Sequence, residues 1–118
     1  MINLFKNTAL LMVLLAGSAD AGTQEEINYL LGFVATTSCK YDRNGTVYDG
    51  PEARDHINRK YEHYRKKVKT TEDFIKYSAT RSMISGKKYI IRCPGSADVL
   101  ASDWLLDELK VFRKRAKE

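Results

Sequence analysis

Residues 39–48 read Cys-Lys-Tyr-Asp-Arg-Asn-Gly-Thr-Val-Tyr, and this stretch decides the fold. Asn44-Gly45 is a strong tight-turn signal between two short strand-like runs. Both residues tolerate the positive φ that a type I′ turn requires. The stretch therefore predicts a β-hairpin in a chain whose remaining pattern is mostly helical. A second strand-like run, Lys88 to Cys93, reads KYIIRC and ends at Pro94-Gly95. With a period of two, it places Tyr89, Ile91 and Cys93 on one face.

Outward from the hairpin the period changes to that of helices. On the N-terminal side, Thr23 with Glu26 reads as a capping box. It is followed by Ile27, Leu30, Leu31 and Val34 at helical spacing, with Tyr29 and Phe33 on the opposite side. Such a helix is apolar on two faces, and the expectation is that the domain itself covers both. On the C-terminal side, Asp49 caps and Pro51 opens a second helix, Pro51 to Lys69, with a buried stripe of Ala53, Ile57, Tyr61, Tyr64 and Val68. Thr70 and Asp73 start a third helix carrying Phe74, Ile75 and Ala79, which stops near Ser82 to Gly86. A cap at or near Ser102 starts a last helix, with Leu105, Leu109, Phe112 and Ala116 on its core side and a smaller stripe of Trp104 and Val111. The order helix, hairpin, two helices, strand, helix predicts an α+β domain of about four helices and a short, mostly antiparallel, three-stranded sheet.

Residues 1–21 have the pattern of a secretory signal peptide: one cation at Lys6, an apolar run from Thr8 to Gly17, then Ala19-Asp20-Ala21. The apolar run is about ten residues, whereas a spanning helix needs ~20. Cleavage before Gly22 is expected, leaving residues 22–118 as a single secreted or periplasmic domain without a transmembrane anchor. The whole chain holds 20 Lys and Arg against 15 Asp and Glu; losing Lys6 and Asp20 leaves 19 against 14, still +5. Outside the cytoplasm such a surface points to an anionic envelope component or an acidic protein, and away from nucleic acid.

Two cysteines remain, Cys39 and Cys93. In an oxidising compartment the simplest outcome is one disulfide, joining the hairpin to the later strand. The alternative, a redox pair or nucleophilic thiol, usually has closer spacing such as C-x-x-C.

The second helix carries seven cations and three anions. Asp55–Arg59 and Glu62–Lys66 have the favourable i,i+4 order, so some cations are expected to be matched. His56, Lys60, His63 and Lys67 fall at steps of four, three and four, and form one stripe beside the buried face. It suits phosphate, carboxylate or an acidic partner, more so with the histidines protonated; the plainer reading is a solvated helix flank. Lys87 and Lys88 form a second basic group. No metal is expected, because Lys60 stands between His56 and His63 and is a poor ligand. Five more cations lie between Lys110 and Lys117, where they suit a helix C-terminus.

No G-x-S-x-G, H-E-x-x-H, P-loop or dinucleotide turn occurs. No cofactor is expected, and a binding module is expected ahead of an enzyme. Ser85-Gly86-Lys87-Lys88-Tyr89 is similar to the S-G-x-x-Y loop of periplasmic lysozyme inhibitors. Those proteins are all-β, and a basic chain would repel a basic enzyme. A lysozyme-inhibitor-like protein or a small periplasmic hydrolase using this loop stands as the alternative function.

The segments EEINYLLGFVATTSCKYDRNG, PEARDHINRKY, KTTEDFIKYSATRSMISGKKYIIRC and DWLLDELKVFR resemble an uncharacterised family of small secreted bacterial proteins, domain of unknown function 5329. The resemblance covers nearly all of residues 22–118. It implies a periplasmic or secreted protein and supports pairing Cys39 with Cys93, but carries no activity. A bacterial origin would also leave the sequon Asn44-Gly45-Thr46 unused. Residue chemistry marks His56, Lys60, Tyr61, Ser85, Gly86 and Tyr89 as the first positions to test.

Overall fold

The computed structural model describes residues 21–118. The expected signal peptide, apart from Ala21, lies outside the described residues. Among the described residues the fold is α+β: four helices, a four-stranded antiparallel sheet and one disulfide. Among the described residues no helix is long and apolar enough to cross a membrane.

Helix α1 spans Ala21–Ala35. It begins before Thr23, so Thr23 is inside the helix and is not its cap. Glu26, the other half of the expected capping box, instead accepts hydrogen bonds from Arg113 and Thr71. Strands β1 (Lys40–Arg43) and β2 (Thr46–Tyr48) form the hairpin. Asn44 and Gly45 have φ of 56° and 94°, the signs that the I′ reading requires. Asp42 Oδ1 accepts from the Gly45 amide at 2.9 Å, which ties the turn to its own strand.

Helix α2 spans Gly50–Tyr64 and is capped by Asp49, which accepts from the Glu52 amide at 3.1 Å. It tightens into a 3-10 turn, Arg65–Lys67, so the α-helix is shorter than the pattern predicts. Asp55 pairs with Arg54 and Glu62 with Arg65, in place of the i,i+4 partners. Helix α3 spans Thr71–Ser78, with Thr70 and Asp73 making the expected capping box. It ends four residues before Ser82, where Thr80 Oγ1 donates to the Ile75 carbonyl.

Strand β3 (Ile90–Arg92) pairs antiparallel with β1, opposing Tyr41 to Ile91 and Lys40 to Arg92. The next opposed position is Cys39–Cys93, and the disulfide forms there with Cα atoms 4.2 Å apart. It links positions 54 apart, for which the chain-entropy model gives roughly 4 kcal/mol. After Pro94-Gly95 the chain turns back and adds a strand that the pattern missed, β4 (Val99–Leu100), opposed to Ile91 and Ile90. Two residues are too few to show alternation. The sheet order is β2-β1-β3-β4.

Helix α4 spans Ala101–Ala116 and follows directly from β4. Leu100 is its N-cap residue, without a side-chain bond, so Ser102 does not cap it. Helix α1 is central and packs against α2, α3 and α4. Its inner stripe of Ile27, Leu30 and Val34 is buried with Ala53, Ile57, Phe74, Leu105 and Leu109. Its second face meets α4: Tyr29 stacks on Phe112 at 4.3 Å and Phe33 packs on Trp104 at 4.6 Å between ring centroids. The domain thus covers both apolar faces itself. Ala116 and Val111, at the other end of the expected stripes, are exposed.

Candidate functional site

Helix α2, the hairpin and the segment after α3 border an open cleft of about 410 Å³. From α2 come His56, Arg59, Lys60, His63 and Tyr64; from the hairpin, Arg43; from the later segment, Ser82, Met83, Ile84 and Tyr89. None of these side chains is acidic. Three residues of the basic stripe thus meet Tyr89, the last residue of the separately read Ser85–Tyr89 segment.

Tyr89 forms the base of the cleft. It is 2% exposed and packs against Tyr41, which is held in the core by donating to the Ala79 carbonyl at 2.8 Å. Two cations sit over the Tyr89 ring, Arg43 at 5.2 Å and Lys60 at 5.0 Å from its centroid. Lys60 Nζ donates to the Tyr89 hydroxyl at 3.1 Å and to the Arg81 carbonyl at 2.8 Å. An ammonium has three protons, so one donor remains for another partner. Arg43 also lies 5.4 Å from the Tyr48 ring.

Arg59 Nη2 donates to His56 Nδ1 at 2.9 Å, so the neutral imidazole carries its proton on Nε2. The Tyr48 ring meets the His56 ring edge-on at 4.5 Å. Burial, and then the charges of Arg43 and Arg59, hold the His56 pKa below its ordinary value. In the free protein the neutral form is therefore favoured, because a third positive charge would be poorly solvated beside two guanidinium groups.

The rim is a short loop held by several hydrogen bonds. Arg81 and Lys88 form an isolated antiparallel bridge, Ser82 N donates to the Lys87 carbonyl, and Gly86 N donates to the Ser82 carbonyl, each of the last two at 2.9 Å. Ser82 Oγ accepts from the Ile84 and Ser85 amides. Gly86 has φ of 77°, the left-handed conformation that lets the loop close. Ser85 Oγ donates to Asn44 Oδ1 at 3.1 Å, tying the loop to the hairpin turn. Met83 and Ile84 at the tip are 61% and 98% exposed.

Of the four stripe residues, the cleft gathers His56, Lys60 and His63. Lys67 is excluded because the 3-10 turn redirects it; its ammonium lies 5.8 Å from the Tyr77 ring centroid. Lys87 and Lys88 are exposed and do not line the cleft. The Ser85–Tyr89 pattern is split: Ser85 and Gly86 lie on the exposed loop, whereas Tyr89 is in the core, so the five residues do not project together. Tyr61 is also buried, donating to Gln24 Oε1 at 3.2 Å. Arg113 and Arg115 of the last helix bond to Glu26, Glu72 and the Tyr29 hydroxyl, which removes them from any free basic face.

Sequence reading missed Arg43, Arg59, Met83 and Ile84. The i,i+4 spacing assigns Arg59 to Asp55, which in the structure pairs with Arg54, and a hairpin arginine gives no periodic signal. Among the described residues, no three of His, Cys, Asp and Glu converge as a metal-ligand set.

Comparison with curated proteins and with solved structures gives no match. A family model described as "Family of unknown function (DUF5329)" matches residues 21–113, all but five of the described residues. The hairpin, both cysteines, α2 and the rim loop all lie within that match, and the chain belongs to this family.

Proposed function

We propose that the protein is a small extracytoplasmic binding module that takes an anionic group in the cleft between α2 and the rim loop. The observation that supports this most is the lining: Arg43, Arg59 and Lys60 converge with His56 and His63, and no carboxylate joins them. Three fixed cations in a partly enclosed space attract an anion more strongly than the same charges spread over a surface. A guanidinium fork suits the oxygens of phosphate or carboxylate.

The proposed location outside the cytoplasm rests on residues 1–21, with cleavage before Gly22, and agrees with a disulfide at Cys39–Cys93. Terminal sequencing of the exported protein should then begin at Gly22.

The binding reading is tested by titrating the oxidised protein with inorganic phosphate in a calorimeter at low and moderate ionic strength. Saturable binding that weakens with added salt, and is lost in Arg43→Gln with Arg59→Gln, is the expected result. Equal heats from the wild type and the double variant would overturn it.

A further inference from the structure

We infer that the cleft is built for an amphipathic anion: a phosphate or carboxylate head with a short aliphatic chain lying along Met83 and Ile84. This rests on the anion-binding reading above and specifies its ligand class.

The two halves of the lining ask for different things. Arg43, Arg59 and Lys60 ask for negative charge. Met83 and Ile84, on the facing loop, ask for an apolar surface. Single exposed apolar residues are ordinary on a protein surface. Here two are adjacent, 61% and 98% exposed, at the tip of a loop that is pinned by its own hydrogen bonds and by Ser85 to Asn44. The loop thus spends its rigidity on holding aliphatic carbon beside a cationic cleft. Methionine, with an unbranched and polarisable side chain, adapts well to a flexible chain.

A bare inorganic anion would satisfy the cations and leave Met83 and Ile84 wet. A neutral aliphatic molecule would do the reverse. An anion with an alkyl tail meets both, and about 410 Å³ is within the range for small-molecule sites. The same chemistry occurs in free alkyl phosphates and in the headgroup region of an anionic lipid. The inference is for the free amphiphile, because the cations and the two apolar side chains border one open cleft whose volume suits a small molecule.

The test is calorimetric titration of the full oxidised protein with butyl phosphate and octyl phosphate, both below their micelle concentrations, with octanol as the uncharged probe. Octyl phosphate should bind about tenfold more tightly than butyl phosphate, the gain expected from partly burying four methylenes. Octanol should not bind measurably. Met83→Ser with Ile84→Ser should remove the octyl preference, so that octyl and butyl phosphate bind alike; both residues are exposed, so the fold is kept. Equal affinities for the two phosphates in the wild type would overturn this inference and leave the anion reading intact. Absence of binding by either would overturn both. An octyl preference that survives the double substitution would overturn the place assigned to the chain. Sedimentation with phosphatidylglycerol vesicles that requires Met83 and Ile84, without binding of octyl phosphate in solution, would overturn the inference in favour of bilayer docking.

Discussion

Lys60 Nζ donates a 3.1 Å hydrogen bond to the hydroxyl of Tyr89 while lying 5.0 Å from the centroid of the same ring. One ammonium thus bridges α2 to the base of the cleft and, through the Arg81 carbonyl, to the rim loop. Structural and binding roles can be separated. Lys60→Met should cost about 1–2 kcal/mol in urea unfolding, for two lost hydrogen bonds, and should weaken phosphate binding about fivefold. Tyr89→Phe should cost about 1 kcal/mol but keep phosphate affinity within about twofold, because the cation over the ring and the Arg81 bond remain. If Lys60→Met binds phosphate like the wild type, Lys60 is a strut only.

His56 supplies opposite pH signs for stability and for binding. Burial and the Arg43 and Arg59 charges lower its pKa from the ordinary 6.5. Between the folded value and 6.5 the unfolded chain therefore binds more protons. Its contribution to stability is complete above 6.5 and is lost as pH falls through that window. An anion in the cleft favours protonated His56, so affinity for sulfate, which stays a dianion throughout, should rise as pH falls from 8 through the His56 transition. Proton NMR of the His56 ring should show its pKa below 6.5 in the free protein and raised by phosphate. His56→Gln should flatten both profiles around pH 6. A His56 pKa unmoved by saturating phosphate would place the anion elsewhere.

Most of the fold was legible because its signals are local. The Asn44-Gly45 turn, the Asp49 cap with Pro51, and the Thr70–Asp73 capping box each act within a few residues. The disulfide was legible because two cysteines are present and an oxidising compartment is the expectation from residues 1–21. What failed depends on tertiary context. Glu26 was read as the capping-box partner of Thr23 because its actual partners, Thr71 and Arg113, are distant in sequence. Strand β4 is two residues long and exists through pairing with β3. In the candidate site, periodicity found His56, Lys60 and His63 on one helix face. It placed Lys67 there too, because nothing in the pattern marks the change to a 3-10 turn at Arg65. Arg43, Met83 and Ile84 come from other segments and meet the stripe only in the folded chain.

Arg113 makes the clearest long-range electrostatic tie. Its guanidinium reaches both oxygens of Glu26 at 2.8 and 3.0 Å and Glu72 at 2.8 and 3.3 Å, joining α4 to α1 and α3. Those bonds hold both carboxyl pKa values below the ordinary 4.5. A depressed carboxyl contributes stability that is full above its unfolded pKa and lost as pH falls through the folded one. Arg113→Gln should cost about 1 kcal/mol near neutral pH, a modest figure because Arg113 and Glu72 are half-exposed. It should also move the acid-unfolding midpoint upward. An unchanged midpoint by circular dichroism would show that the clamp has no net effect.

Two glycines test whether packing or propensity governs the helices. A Cβ on Gly50, the first residue of α2, would lie 2.5 Å from the Val34 carbonyl oxygen and 2.8 Å from that of Ala35. Both are backbone atoms at the end of α1 and cannot swing aside. The contact exists because α2 starts directly against α1, so the absence of a side chain at residue 50 sets how closely the two helices approach. Gly32, inside α1, has nothing within 4 Å of the same added atom. Propensity alone says that alanine should help in both helices, by roughly 0.5–1 kcal/mol in a helix interior. Packing says the two should differ in sign. Gly32→Ala should stabilise by about that amount, whereas Gly50→Ala should destabilise by about 1–3 kcal/mol, the usual cost of overpacking. Chemical denaturation of the oxidised variants measures both against the wild type. A stabilising Gly50→Ala would mean that α2 can move away from α1 at little cost, and that the α1–α2 approach is looser than the backbone distances imply.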